Sequence, residues 1–133
     1  PLTLFESISE QYRSYRLSQI GHPLSALRKE KKLPEHTSQI IRNLKHKTPV
    51  KTSGMVIVRQ RPPTAKGVTF ATLEDEFGFM DLIIKKEVYE KLRSIFSDHA
   101  FLKISGDLQK DGNTCSLLVK SAKPLPIEDK RNM

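Results

Sequence analysis

The 133-residue sequence holds a single cysteine, Cys115, so no disulfide can form within the chain and a hydrophobic core must hold the fold. Its four histidines, His22, His36, His46 and His99, are scattered, and with one thiol they match no zinc-ligand spacing. Long apolar runs are missing too. Stretches such as Leu82-Ile83-Ile84 are far short of the roughly 20 residues needed to cross a bilayer, so a soluble, cytoplasmic chain without membrane contact is expected. No secretory-signal pattern opens the chain, which reads as a fragment rather than a complete secreted product. Low-complexity tracts are also lacking. With 37% hydrophobic and 29% charged residues, the composition excludes collagenous and broadly disordered classes. The length suits one domain with an appendage and argues against a two-domain enzyme.

What the sequence does have is localised positive charge. The net charge is +8, and residues 28–66 carry eleven basic against two acidic side chains. The rest of the chain is close to neutral. A concentrated basic stretch points to a polyanionic partner more strongly than an evenly basic surface would.

Thr3-Leu4-Phe5-Glu6 reads as a capping box opening a helix, with Phe5, Ile8, Tyr12 and Tyr15 as its packing stripe. Gly21-His22-Pro23 ends it, and Pro23 can start a second short helix through Leu24 and Leu27. His22 is read as a structural hydrogen-bonding residue. Arg28 to Lys32 reads as a solvated connector, after which Thr37 or Ser38 can cap a turn carrying Ile40, Ile41 and Leu44. Residues 1–48 form a helical lead-in with too few apolar residues for a core of its own.

From Pro49 the apolar period changes to that of strands. Val50 to Arg61 is a long strand interrupted by Gly54, a mark of a bulge or bend. Pro62 to Gly67 is a loop, Val68 to Glu76 a second strand and Phe79 to Ile84 a third, with Met80, Leu82 and Ile84 facing the core. A helix follows between about Lys86 and Ser97, with Val88, Tyr89, Leu92, Ile95 and Phe96 on one side. Ala100 to Gln109 and Thr114 to Ser121 are the last two strands, joined by a Lys110-Asp111-Gly112-Asn113 turn. The sequence is therefore predicted to be mainly β, a five-stranded OB-fold barrel with a helix between strands 3 and 4, preceded by a helical N-terminal segment. Its divisions are lead-in 1–48, barrel 49–123 and tail 124–133.

In such barrels a ligand crosses strands two and three between the first and last strand-joining loops. Single-stranded nucleic acid binds there through cations on phosphates and aromatic faces on bases. The candidate contacts are Arg59, Arg61 and Lys66 near the first loop, Lys103 and Lys110 near the other edge, and Phe79 and Ile83 on the outer side of strand three. Phe70 is read as core and Cys115 as an inert thiol. Glu74-Asp75-Glu76 is not a catalytic set, because neighbouring strand carboxylates point to opposite faces. No nucleophile with a base, phosphate-cradling glycine loop or metal set is present, so a binding module is expected.

Val56-Ile57-Val58-Arg59-Gln60-Arg61-Pro62, then Thr64-Ala65-Lys66-Gly67-Val68-Thr69-Phe70, Thr72-Leu73-Glu74-Asp75-Glu76 and Gly78, resemble the C-terminal OB-fold of bacterial error-prone DNA polymerases. These belong to the DNA polymerase III alpha-subunit superfamily. Leu17-Ser18-x-x-Gly21-His22-Pro23-Leu24 is similar to the segment that precedes that domain. Pro63, Lys85 and Ser116 depart from the family, which often has glycine, an aromatic and histidine there. The resemblance implies a module that holds single-stranded template near the polymerase, with the family's basic loop segment on Arg59, Arg61 and Lys66 and its Leu-Glu-Asp element on Leu73, Glu74 and Asp75. It implies a parent active as a DNA-directed DNA polymerase in replication, repair and translesion synthesis, whose magnesium-binding aspartates lie upstream. No catalysis and no cofactor are expected in this fragment. The implied partners are single-stranded DNA, other domains of the parent and accessory repair factors; the alternative is a protein-docking module.

Overall fold

The computed structural model describes residues 24–30, 34 and 36–127. The expected first helix and its cap, with Phe5, Tyr12, Tyr15 and His22, lie outside these residues. A helical turn covers residues 24–29, and α1 is Ser38–Ile41. The strands are β1 Pro49–Gln60, β2 Thr69–Asp75, β3 Gly78–Ile84, β4 Phe101–Asp111 and β5 Thr114–Pro124, with α2, Lys86–Asp98, between β3 and β4. They close into a barrel in the order β1-β2-β3-β5-β4. All neighbours are antiparallel except β3 and β5. This is the OB-fold that the order of apolar periods predicts.

Barrel closure depends on β1, whose first half pairs with β4 from Pro49 to Met55 and whose second half pairs with β2 from Met55 to Gln60. Gly54 sits where the strand changes partner. A Cβ there would collide with the carbonyl oxygen of Glu74, so only glycine lets the two backbones approach this closely. Two residues later the β1–β2 register slips between Val56 and Val58. This bulge shifts the side-chain phase of the strand end by one residue.

The core is the inner face of the barrel, with Val56, Leu73, Leu82, Ile84, Ile104 and Leu117 all buried. Phe96 of α2 enters it fully buried, as does Ile41 of α1. Thr37 caps α1 by accepting from the Ile40 amide at 3.2 Å. Ile40, on the same short helix, is exposed.

The lead-in is joined to the barrel through the acidic run. Asp75 Oδ2 accepts from the Ser38 amide at 2.7 Å, and Asp75 Oδ1 accepts from Ser38 Oγ at 2.6 Å. The same Oδ1 accepts from the amides of Phe77 and Gly78 at 2.9 and 3.0 Å, which shapes the β2–β3 turn. Arg28 was expected in a solvated connector, but it forms a two-pronged pair with Glu76, Nη2 to Oε1 at 2.7 Å and Nε to Oε2 at 2.9 Å. Burial pushes the Glu76 carboxyl up; the hydrogen bond from Arg28, a backbone hydrogen bond and the Arg28 charge together outweigh this and hold it below the ordinary glutamate range. Leu24 and Leu27, on the same helical turn as Arg28, are buried.

Candidate nucleic-acid interface

The outer face of the β2–β3 sheet follows from strand alternation. Thr69, Ala71 and Leu73 are buried, so Phe70 and Thr72 point outward. Across the sheet Gln60 pairs with Phe70, Phe70 with Ile83 and Ile83 with Leu118. Phe70, Ile83 and Leu118 thus form one apolar row over three strands. Phe70, expected in the core, is 40% exposed. Its aromatic character pointed inward, but the pairing of Ala71 with Leu82 and of Leu73 with Met80 sets the opposite phase. Phe79 lies half-buried on the same outer side, opposite Glu74. Asp81 is exposed between Phe79 and Ile83.

The bulge decides where the arginines go. Beyond it Arg59 pairs with inward-phased Ala71, and the Arg61 Nε donates to Thr69 Oγ1 at 3.3 Å. β1 has left β4 by this point, so the inward phase opens onto the flank of α2 instead of the core. The Arg61 guanidinium lies over the Tyr89 ring, 4.8 Å from its centroid. Tyr89 in turn stacks on Phe96 at 5.9 Å. An open groove of about 550 Å³ results, lined by Arg59, Gln60, Arg61, Thr69, Tyr89, Arg93 and Ser97.

The structure therefore brings Arg59 and Arg61 together, as expected, but on the helix side of the strand end. Arg93 and Tyr89 also line this groove and were not among the sequence candidates. Tyr89, Arg93 and Ser97 recur every fourth residue, which places them on one helix ridge. That spacing was readable; the ridge's opposition to β1 was not.

Lys66 is exposed in the first loop, with φ of 53° after the short 3-10 turn Pro63–Ala65. Gly67 follows at φ of 87°, and a Cβ there would come within 2.9 Å of Lys86 Cδ. The loop is thereby packed against the first turn of α2. Lys103 and Lys110 do not join this face. Lys103 is on β4, between Ser53 of β1 and Lys123 of β5, and β4 is two strands from both β2 and β3. Lys110 Nζ donates to the Arg42 carbonyl at 2.8 Å, and its amide donates to His46 Nδ1 at 3.0 Å. Lys110 thus ties β4 to the segment after α1, because the hairpin turn contracts to Gly112 and Asn113 and leaves it on the strand. Cys115 is half-buried. Among the described residues no three acidic, histidine or cysteine side chains converge as metal ligands, and none of the helices is long and apolar enough to cross a membrane.

Comparison with known proteins matches this geometry. A family model described as an OB-fold nucleic acid binding domain covers residues 50–125. The chain is 35% identical to an error-prone DNA polymerase of Bdellovibrio bacteriovorus, over 91% of this chain and 12% of that protein. It is 33% identical to one of Anaeromyxobacter dehalogenans, over 92% of this chain and 11% of that protein. These relatives bear out the polymerase resemblance carried by the motifs between Val56 and Gly78, and the chain spans only about an eighth of their length. Among solved structures, an asparaginyl-tRNA synthetase from Pyrococcus horikoshii superposes with a TM-score of 0.57 at 15% identity, over 68% of this chain and 23% of that one. That likeness is of fold alone. The closed five-strand barrel and the family match across it place this chain in the OB-fold nucleic acid binding domain family.

Proposed function

We propose that the chain is the single-stranded DNA-binding module of an error-prone, translesion-type bacterial DNA polymerase, holding template near the active site of its parent. The observation that carries this reading is the outward row Phe70, Ile83 and Leu118, flanked at the β1 end by Arg59 and Arg61 and at the loop by Lys66. Bases stack on aromatic and apolar faces while cations follow the phosphates. In this reading residues 49–123 are the binding unit, residues 1–48 lead into it and residues 124–133 leave it. Nucleotide transfer and its magnesium belong to an upstream domain of the parent, in the cytoplasm, and this segment contributes no catalytic group. Accessory repair factors are proposed partners of that parent.

A second reading, docking onto another protein domain, draws support from Phe77 and Ile40, exposed at the turn and helix that Asp75 holds together. The test is titration of a fluorescent single-stranded DNA oligomer at several salt concentrations, with wild type and Phe70→Ala. Affinity of the wild type falls with rising salt, with a log–log slope of about −0.7 per neutralised phosphate. Loss of one stacked base at Phe70 weakens binding by about 1–3 kcal/mol, roughly 5- to 150-fold. An oligomer that does not bind at low salt, beside a measured complex with a domain of the polymerase, overturns this reading in favour of docking.

A further inference from the structure

We infer that the groove between the end of β1 and α2 is a phosphate track, in which Arg93 acts with Arg59 and Arg61 on the backbone of a strand leaving the sheet face. This rests on the single-strand reading of that face and extends it around the barrel to an element outside the β2–β3 sheet.

Among the described residues, three guanidinium groups line the groove and no carboxylate does. Asp98 is near in sequence and accepts from Ser97 Oγ at 3.1 Å, yet it is not part of the lining. Arg59 and Arg93 are exposed, and among the described residues neither side chain takes part in a hydrogen bond or ion pair. Convergent like charges without a counter-charge repel, and an anion between them relieves that repulsion. Arg61 is already oriented: Tyr89 lies beneath its plane and Thr69 occupies its Nε, so among the described residues both terminal nitrogens remain for a ligand. A planar guanidinium offers the paired donors that suit phosphate oxygens.

The groove also continues from the apolar row. Gln60 lines it and pairs with Phe70; Thr69 lines it and precedes Phe70 in β2. A strand whose bases lie on Phe70 and Ile83 can therefore carry its phosphates round the end of β1 without crossing unfavourable charge. The chemistry favours a nucleic-acid backbone over an acidic peptide. Tyr89, the one aromatic ring of the groove among the described residues, is covered by Arg61 on one side and packed against Phe96, so these residues leave no apolar anchor of the kind that dominates peptide interfaces.

The test compares wild type, Arg93→Ala and Arg93→Lys on short and long deoxythymidine oligomers, roughly 4 and 15 nucleotides, within the range of OB-fold site sizes. For the long strand, Arg93→Ala lowers the magnitude of the salt slope by about 0.7 and the affinity at 0.1 M salt by about fivefold. Arg93→Lys recovers the slope, because the charge is kept. The short strand binds all three proteins alike. An Arg93→Ala slope equal to wild type on the long strand, with Phe70→Ala still weakening binding, overturns the track and leaves the sheet-face reading standing. Absence of single-strand binding by wild type overturns both. Saturable binding of a polyglutamate peptide that competes with the long oligomer and is lost in Arg93→Ala assigns the groove to acidic protein and likewise overturns the proposal.

Discussion

Asp75→Asn perturbs the clamp by which the acidic run holds the lead-in to the barrel. The Asp75 carboxylate is 2% exposed and accepts four hydrogen bonds, two from Ser38 and one each from the amides of Phe77 and Gly78. An asparagine of the same shape keeps one acceptor oxygen and presents an NH2 where the other stood. If the oxygen stays toward Ser38 Oγ, Phe77 and Gly78, the Ser38 amide faces a donor; if it flips, the amides of Phe77 and Gly78 do, while the Ser38 hydroxyl can turn to accept. Hydrogen bonds to a charged group contribute about 1.5–3 kcal/mol each, and an orphaned buried donor carries its own desolvation penalty. Losing the single Ser38 amide bond is the milder outcome, so the substitution costs about 2–3 kcal/mol, a large share of a typical domain stability of about 5–15 kcal/mol. Urea denaturation followed by circular dichroism measures the total, and amide hydrogen exchange at Ser38 reports whether the loss is local. A stability within about 0.5 kcal/mol of wild type, the range of an ordinary surface substitution, would refute the clamp, as would unchanged protection of the Ser38 amide.

Two further predictions concern the same framework. At Gly54, where a Cβ meets the Glu74 carbonyl, Gly54→Ala forces β1 and β2 apart and lowers stability by about 1–3 kcal/mol; an alanine variant that melts with wild type contradicts the close crossing. Glu76 has its carboxyl held below the ordinary range, because the Arg28 pair and a backbone hydrogen bond together outweigh burial, so its pairing stabilises the fold above that range and is lost as pH falls through the lowered value. Denaturation of wild type and Glu76→Gln across pH 7 to about pH 3 should show a gap at neutral pH that closes below the usual glutamate value of about 4.3; a gap of constant size removes the ion pair from the account.

Much of the fold was legible because it is local. Strand alternation around Met80, Leu82 and Ile84, the prolines of the first loop and the amphipathic run from Lys86 each report their own few residues, and their order specifies the barrel. The candidate site was legible in part. The places of Arg59, Arg61 and Lys66 around the first loop were readable from charge and loop position, and the outward phase of Ile83 from alternation. Phe70 was misplaced because both faces of β2 carry apolar residues; only pairing with β3 chooses between them. Arg28 and Glu76 are 48 residues apart, and no local pattern foretells that contact.

The sequence by itself determined the element order, the basic character of the stretch that ends in the first loop, and the family to which these residues belong. Tertiary structure decided which way those charges face. A single slipped residue between Val56 and Val58 turns Arg59 and Arg61 toward α2, Arg42 draws Lys110 to the lead-in, and β4 carries Lys103 to the far side of the barrel. The physical reason is that side-chain direction in a strand has period two: composition survives a shift of register by one residue, whereas the surface it creates does not.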